Sequence, residues 1–268
     1  MSTTGRTEFR EISAYFIPLG DDRYRATEAV SGAWNEAEQH ISTPLGLMVH
    51  AVEKDAAARR ENPLQLCRLS FDILGTVPVG EVHLDVEVLR PGRTIELVEA
   101  RMMYGNRTIV ILRAWGLAAF DTEEIEGSPL RPMPAAEELS PWDATSIWPG
   151  GFIASTTGRR HYCEPGRAQA WISSPIPLVE GEQVSSFAKF CALLDTANGI
   201  AIRSQPEEVA FPNVDLTASF FRIPPGEEVG YETQVSFGPT GLGLTHSIIH
   251  DTQGPVGSLT QQLTVRTR

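Results

Sequence analysis

Apolar and polar positions follow the same plan twice along the chain. Residues 41–60 are apolar at helical spacing and on most sides, and residues 184–203 repeat this pattern. Each of these stretches is followed by runs in which apolar and polar residues alternate, as they do in half-buried β-strands. The pattern predicts two similar units, each with one long helix followed by several strands.

Matching turns support this duplication. The sequence PVGE at residues 78–81 in the first half corresponds to PPGE at residues 224–227 in the second. The glycines of these turns are 226 − 80 = 146 residues apart, and the prolines of LRPGR and FGPTG are 239 − 91 = 148 residues apart. A repeated helix-plus-sheet unit implies a pseudo-symmetric body, usually with one working site near the seam between the copies.

The two helices set the expected fold class. A helix that is apolar on most sides must be covered nearly all round, and a curved antiparallel sheet wrapped around it provides that cover. We therefore expect an α+β double hot dog, with two antiparallel sheets each wrapped around one long central helix. Residues 1–121 are expected to form the first unit, the Pro-, Glu- and Ser-rich residues 122–150 a linker, and residues 151–268 the second unit with the active site.

Net charge and hydropathy limit the classes of partner and the cellular location that we expect for the protein. The 268-residue chain carries a net charge of −12, which argues against nucleic acid as a partner because such binding needs a basic surface. A local cluster of arginines could still bind an anionic ligand. The simpler interpretation is that these arginines lie on the solvated surface. The arginines available for such a cluster are Arg59, Arg60, Arg90, Arg93, Arg159 and Arg160. No apolar stretch is long enough to span a membrane or to serve as a secretory signal, so we expect a cytoplasmic protein.

Cysteine and histidine form no recognisable motif. Cys67, Cys163 and Cys191 have no motif spacing, and we expect reduced, buried thiols. A nucleophilic role for Cys191 is disfavoured because its apolar neighbours raise the pKa of a thiol. The histidines show no metal-ligand spacing. The sequence therefore requires neither a metal nor an organic cofactor.

Asp195 is the polar residue that the predicted core does not explain. It lies in CALLDTANG, within the second predicted helix, where its apolar neighbours require burial. Burial of an ionised carboxylate is costly unless it is paired or hydrogen-bonded. Asp195 is therefore either partly exposed near the end of the helix, or a general base that orients a water molecule. The residues at helical spacing from it are small, namely Ala188, Cys191, Ala192, Asn198 and Gly199. We expect another chain element or a ligand to lie along that face.

Two amides are candidates to complete the site. Gln261 shares a predicted strand face with Leu259 and Leu263, which places a polar group among core positions. Asn213 opens another predicted strand. Amides are not bases at neutral pH, but they orient a water molecule or donate to a developing oxyanion. The alternative is that both are ordinary amides at a strand edge or on a solvent face.

Through CALLDTANG, FPNVDLTASFFR and VGSLTQQLTVR the chain resembles the double hot-dog acyl-CoA thioesterases of the bacterial thioesterase II type. The resemblance spans nearly the whole chain. It implies an acyl-CoA substrate and an attacking water activated jointly by a helix Asp, a strand Thr and a late-strand Gln. Asp195 and Gln261 match two of these positions, and Asn213 stands where the family has Thr.

Other functions stay open at this point. The change from Thr to Asn213 motivates a non-catalytic acyl-CoA-binding protein of the same fold. An enoyl-CoA hydratase is a third reading, but such enzymes need a paired Asp and His in one short motif, and none occurs beside Asp195. His50 lies 195 − 50 = 145 residues before Asp195, so it is a candidate for a degenerate twin site, with a packed histidine as the simpler reading. Exposed sheet edges would also allow homo-oligomers.

Overall fold

Strands dominate the regular structure of the protein. The structure, a computed structural model, describes residues 12–268. The strands are β1 (Phe16–Gly20), β2 (Arg23–Ala26), β3 (Gln65–Ile73), β4 (Glu81–Arg90), β5 (Ile95–Tyr104), β6 (Arg107–Leu117), β7 (Ser140–Trp142), β8 (Thr157–Glu164), β9 (Arg167–Ser173), β10 (Val209–Ala210), β11 (Asp215–Phe220), β12 (Val229–Phe237), β13 (Leu242–Asp251), β14 (Gly254–Thr264) and β15 (Arg266–Thr267). The helices are α1 (Ser42–Arg59), α2 (Gly151–Ser155), α3 (Ser186–Cys191) and α4 (Ala197–Ile200).

Thirteen of the strands named above, drawn from both halves, form one continuous antiparallel sheet, and β10 pairs separately with β15. Its order is β1-β2-β4-β5-β6-β3 in the first half, followed by β11-β14-β13-β12-β9-β8-β7 in the second. The expectation of two separate sheets is therefore wrong. Strands β3 and β11 would each be an unpaired edge within its own half, and pairing them satisfies both rows of backbone groups.

The register between β3 and β11 locates the symmetry of the duplication. Ser70 lies opposite Thr217, and their hydroxyl oxygens are 3.2 Å apart. The flanking pairs are Leu69–Ala218 and Phe71–Leu216. The offset of 217 − 70 = 147 falls between the two spacings read from the turns, and it maps each flanking pair onto the other. A pseudo-twofold axis therefore passes between Ser70 and Thr217.

Only the first predicted helix is continuous. Helix α1 matches the predicted residues 41–60, and every residue from Ser42 to Val52 is buried. The second predicted helix is broken into α3, a 3₁₀ turn at Leu194–Thr196 and α4. The carbonyl of Leu193 explains the break, because it accepts from the hydroxyls of Tyr231 and Thr196, each at 2.8 Å. It also accepts from the Thr196 N–H at 3.1 Å, which tightens the chain into a 3₁₀ turn.

The segment between the halves is folded against the second half. Residues 122–150 contain three short 3₁₀ turns and strand β7, which pairs with β8. Trp148 of this segment is 4% exposed, and its indole N–H donates to the carbonyl of Gly199 at 3.1 Å. The boundaries at residues 121 and 150 stay a prediction.

Helices α1 and α3 cross at their smallest residues. A side-chain carbon at Gly46 would lie 2.8 Å from the Cα of Ala192 and 2.9 Å from the carbonyl oxygen of Ala188. These distances are too short for any side chain, so glycine is required for the two backbones to approach this closely. The small residues predicted around Asp195 are therefore used in part to admit another helix.

We expect Gly46→Ala to lower the free energy of unfolding by about 3 kcal/mol, the upper end of overpacking costs. The atoms it would meet belong to backbone and cannot swing aside. Chemical denaturation of the variant beside the unchanged protein measures the effect. The matched control is Gly226→Ala, because no atom lies within 4 Å of a side-chain carbon there. Equal stabilities of the two variants would contradict the close crossing.

Candidate functional site

A cavity of about 420 Å³ opens between the two halves of the chain. Its apolar wall comes from the segments around residues 34 and 73–77, from the segment between the halves, and from the second half. The large apolar side chains that line it include Trp34, Trp142, Trp148, Ile153, Ile172 and Ile200. Polar side chains face the same space, among them His40, Asp195 and Asn213. The cavity therefore combines an apolar surface with a small polar centre, as is typical of small-molecule sites.

The predicted carboxylate lies at this polar centre. Asp195 sits in the 3₁₀ turn between α3 and α4 and is only 5% exposed. Its Oδ1 accepts from the side-chain amides of Asn213 at 2.7 Å and of Gln261 at 2.8 Å. The structure thus brings the three residues singled out in the sequence into direct contact. Oδ2 makes no hydrogen bond with any described residue.

Strand geometry delivers the two amides. Gln261 lies on the buried face of β14 with Leu259 and Leu263, as predicted, and is 0% exposed. Asn213 precedes β11 and forms an isolated bridge with Leu263, which places its side chain at the same end of the sheet. The Asn213 amide also donates to the carbonyl of Asp215 at 3.0 Å, so both of its amide hydrogens are used.

Burial makes Asp195 a base of moderate strength. Loss of solvent raises the pKa of its carboxyl from 3.8 to about 7, and the hydrogen bonds from Asn213 and Gln261 oppose that rise. A carboxylate with a pKa near neutral pH both accepts and returns a proton under ordinary conditions. Perturbed carboxyl groups of this kind are concentrated at functional sites.

The first half supplies two polar groups that sequence reasoning missed. The backbone N–H of Asp195 donates to the hydroxyl of Ser42, at the start of α1, at 3.1 Å. His40 lies with its Nδ1 3.9 Å from Asp195 Oδ2, and that nitrogen accepts from the Ser42 N–H at 3.3 Å. Burial lowers the pKa of His40 to about 3, so the ring is neutral at pH 7. Nothing in the local sequence marks these residues, because their role depends on the packing of the two halves.

Two family models match most of the chain. Residues 30–117 match the acyl-CoA thioesterase N-terminal domain, and residues 128–265 match the acyl-CoA thioesterase C-terminal domain. The chain belongs to the acyl-CoA thioesterase family. None of the curated proteins compared with this family member matches it at a significant level.

Solved structures agree on the fold of this thioesterase family member. A protein of unknown function with a hot dog fold from Alicyclobacillus acidocaldarius is 13% identical, with a TM-score of 0.72 over 96% of this chain and 97% of the other. An acyl-CoA thioesterase II of Mycobacterium marinum is 17% identical, with a TM-score of 0.66 over 94% and 95%. The dehydratase domain of RzxB from Pseudomonas fluorescens is 12% identical, with a TM-score of 0.51 over 93% and 95%. These likenesses establish a hot-dog fold.

Within residues 12–268, the first half has no counterpart of the polar site around Asp195. The offset of 147 carries Gln261 of β14 to Ala114 of β6, and these residues lie opposite Thr245 and Val98 respectively, which the same offset also relates. The same offset carries Asn213 to Leu66. The positions corresponding to both amides are therefore apolar in the first half. His50 does not stand in for them, because its Nε2 lies 2.9 Å from Glu182 Oε2, an oxygen that also pairs with Lys54.

The three cysteines differ in their exposure to solvent. Cys191 is fully buried, and burial raises the pKa of its thiol well above the usual value, which argues against a nucleophile. Cys163 is exposed, so the expectation that all three cysteines are buried is wrong.

Within residues 12–268 no cluster of side chains has a metal-binding arrangement. No helix in the same range is long and apolar enough to cross a membrane.

We expect Asp195→Asn to stabilise the protein in a pH-dependent way. The carboxyl ionises near pH 4 in the unfolded chain and near pH 7 in the folded one. The unfolded state therefore binds fewer protons between these values, and the free energy of unfolding falls as pH rises through that window. Asparagine keeps an oxygen for both amides and carries no charge. Near pH 4 the variant and the unchanged protein should have the same melting temperature. At pH 8 the variant should melt several degrees higher, and calorimetry measures both values.

A charge-matched control separates this effect from the change in net charge. Asp121→Asn removes one negative charge from an exposed position and should show no growing difference between pH 4 and pH 8. A melting difference for Asp195→Asn that stays constant across this range would contradict the raised pKa.

Proposed function

We propose that this protein is a thioester hydrolase that converts acyl-CoA and water into a carboxylic acid and coenzyme A. One observation carries this proposal: a buried carboxylate with a pKa of about 7 stands at the wall of an apolar cavity with one oxygen unused. Such a group takes a proton from water at neutral pH. Membership of the acyl-CoA thioesterase family supports acyl-CoA as the substrate class.

The reaction needs only water and the carboxylate as proton carriers. The water oxygen attacks the thioester carbonyl carbon while Asp195 Oδ2 takes one of its protons, and the carbonyl electrons move onto oxygen. Collapse of the tetrahedral intermediate breaks the C–S bond. The departing sulfur receives the proton held by Asp195, which restores the carboxylate and releases the acid and the coenzyme A thiol.

The two amides act in different ways in this proposal. Gln261 is fully buried and is not among the residues that line the cavity, so it reaches the substrate only through Asp195. Its donation to Oδ1 turns Oδ2 towards the cavity. Asn213 lines the cavity itself, and its side-chain oxygen can accept from the attacking water. An asparagine in place of the family's threonine is compatible with the same carboxylate orientation, because its amide donates to Oδ1.

The cavity also revises where the acyl group is expected to lie. The small-residue face of α3 is occupied by Gly46 of α1, so no tail lies along it there. The apolar space next to Asp195 is the tryptophan-lined cavity. We propose that the acyl group occupies this cavity while the thioester carbon stays beside Oδ2. Burial of the tail there is favourable at roughly 0.8 kcal/mol for each methylene group.

Asp195→Asn should lower the rate of thiol release by about 10²- to 10⁴-fold, the usual contribution of a general base. The variant retains an acceptor for both amides but cannot take a proton. A thiol-reactive dye follows release from a series of acyl-CoAs that runs from acetyl-CoA to palmitoyl-CoA. Asp121→Asn is the control, and a fully active Asp195→Asn would refute the proposal.

A second candidate gains support from one contact. The sequence shows no Asp–His pair in a short motif, yet the fold places His40 3.9 Å from Asp195. An acid–base pair drawn from two halves could add water to an enoyl thioester. The same enzyme preparations are therefore also given crotonyl-CoA, and loss of the enoyl absorbance without thiol release would favour hydration. Saturable binding of acyl-CoA with neither reaction would favour the non-catalytic protein.

The pH dependence of kcat/KM should report the environment of Asp195. The rate should rise with pH through a midpoint of about 7 and then level off, because the carboxylate is the active form. Asn213→Ala and Gln261→Ala each remove a hydrogen bond that lowers the pKa of Asp195, so both should move the midpoint to higher pH. Gln262→Ala, on the opposite face of β14, is the control. Slower variants with an unmoved midpoint would contradict the assigned role.

A further inference from the structure

Two arginines stand on the lining of the cavity. The charged residues that contribute to it are Glu38, Asp195, Arg266 and Arg268. Both arginines are exposed, and neither forms an ion pair with any carboxylate in residues 12–268. In a chain with a net charge of −12, two guanidinium groups at the opening that serves the carboxylate form a local site for anions.

The C-terminal strand holds the two side chains on the same side. Strand β15 pairs with β10, with Arg266 opposite Ala210 and Thr267 opposite Val209. The Arg268 N–H then donates to the carbonyl of Glu208 at 2.9 Å, which continues the pairing. Side chains alternate along an extended chain, so residues 266 and 268 face one way and residue 267 the other. Arg266 and Arg268 line the cavity and Thr267 does not.

Arg268 is also positioned by an aromatic ring. Its guanidinium lies 5.4 Å from the ring centre of Trp34, which lines the same cavity. Trp34 is in turn fixed by edge contacts with Trp148 and Phe211, at 5.0 Å and 5.3 Å between ring centres. A guanidinium stacked on a fixed ring loses less freedom when it binds an anion than one on a free side chain.

Three of the six arginines suggested by the sequence for an anionic ligand are engaged elsewhere. Arg59 and Arg60 both bind the buried carboxylate of Glu96, at 3.1 Å and 2.6 Å. Arg160 lies 4.1 Å from the ring centre of Trp142 and donates to the carbonyl of Ile200. These groups contribute to internal contacts, whereas Arg266 and Arg268 remain at the opening of the cavity.

We propose that Arg266 and Arg268 bind the phosphate groups of coenzyme A while the thioester reaches Asp195. Planar guanidinium groups bind phosphate with paired N–H donors. The pantetheine arm carries no charge and separates the phosphates from the thioester, so an anion at the rim and a neutral acyl group inside match the charge distribution of the cavity. The role in turnover rests on the proposed function, whereas the binding of coenzyme A is testable without it.

The experiment compares two thioesters of the same acyl group, one with coenzyme A and one with N-acetylcysteamine, which has no phosphate. Arg266→Gln and Arg268→Gln should each raise KM for the coenzyme A ester about 3- to 10-fold, as expected for a partly exposed charge pair. The KM for the N-acetylcysteamine ester should not change. Added salt should raise the KM of the unchanged protein for the coenzyme A ester and not for the N-acetylcysteamine ester. Arg167→Gln, an exposed arginine on β9 outside the cavity, is the control.

Calorimetric titration with free coenzyme A reads the same site without any reaction. The double variant should bind it at least tenfold more weakly than the unchanged protein and the control variant. Equal binding, or equal changes in KM for both thioesters, would overturn the proposal. If no thioester is hydrolysed by the unchanged protein, the proposed function fails, and the titration still decides the role of the arginines. If the variants do not fold, the effect of salt on the binding of coenzyme A by the unchanged protein tests the proposal. Binding that salt does not weaken would overturn it.

Discussion

The site depends on keeping one carboxylate out of bulk water without leaving it unpaired. Asp195 achieves this because a single oxygen accepts from two amides, while the backbone N–H of the same residue is held by Ser42. Desolvation alone would favour the protonated acid, and two donors on Oδ1 partly reverse that preference. The balance leaves a group that ionises near pH 7 and presents its second oxygen to the cavity.

The geometry of that carboxylate follows from a helix that does not continue. In a regular helix from residue 184 to residue 203, the carbonyl of Leu193 would accept a hydrogen bond from the backbone N–H four residues later in the chain. The hydroxyls of Tyr231 and Thr196 compete for this carbonyl and produce the 3₁₀ turn that carries Asp195. The close crossing at Gly46 then brings the start of α1, with Ser42, within reach of this turn. Two halves are needed to build one site.

The pattern of the sequence was sufficient for the duplication, and together with the family resemblance it singled out the three residues that meet at Asp195. Turn spacing predicted an offset close to the 147 of the β3–β11 register, and strand alternation placed Gln261 inward. Helical periodicity could not reveal the break at Leu193, because its cause is a tyrosine from a distant strand. The joining of both sheets, the contribution of His40 and the arginines at the cavity opening likewise arise from contacts between segments far apart in sequence, which local patterns do not encode.

The neutral state of His40 is what allows Asp195 to act as a base in the proposed reaction. A protonated imidazole 3.9 Å from Oδ2 would stabilise the carboxylate and lower its pKa, and a weaker base would take a proton from water less readily. Burial prevents this by lowering the pKa of His40 to about 3. The ring packs against Phe152 with 4.4 Å between centres, which keeps it in this apolar setting. The histidine therefore shapes the site by its lack of charge, and a substitution that admitted water beside it would weaken the base without touching the carboxylate.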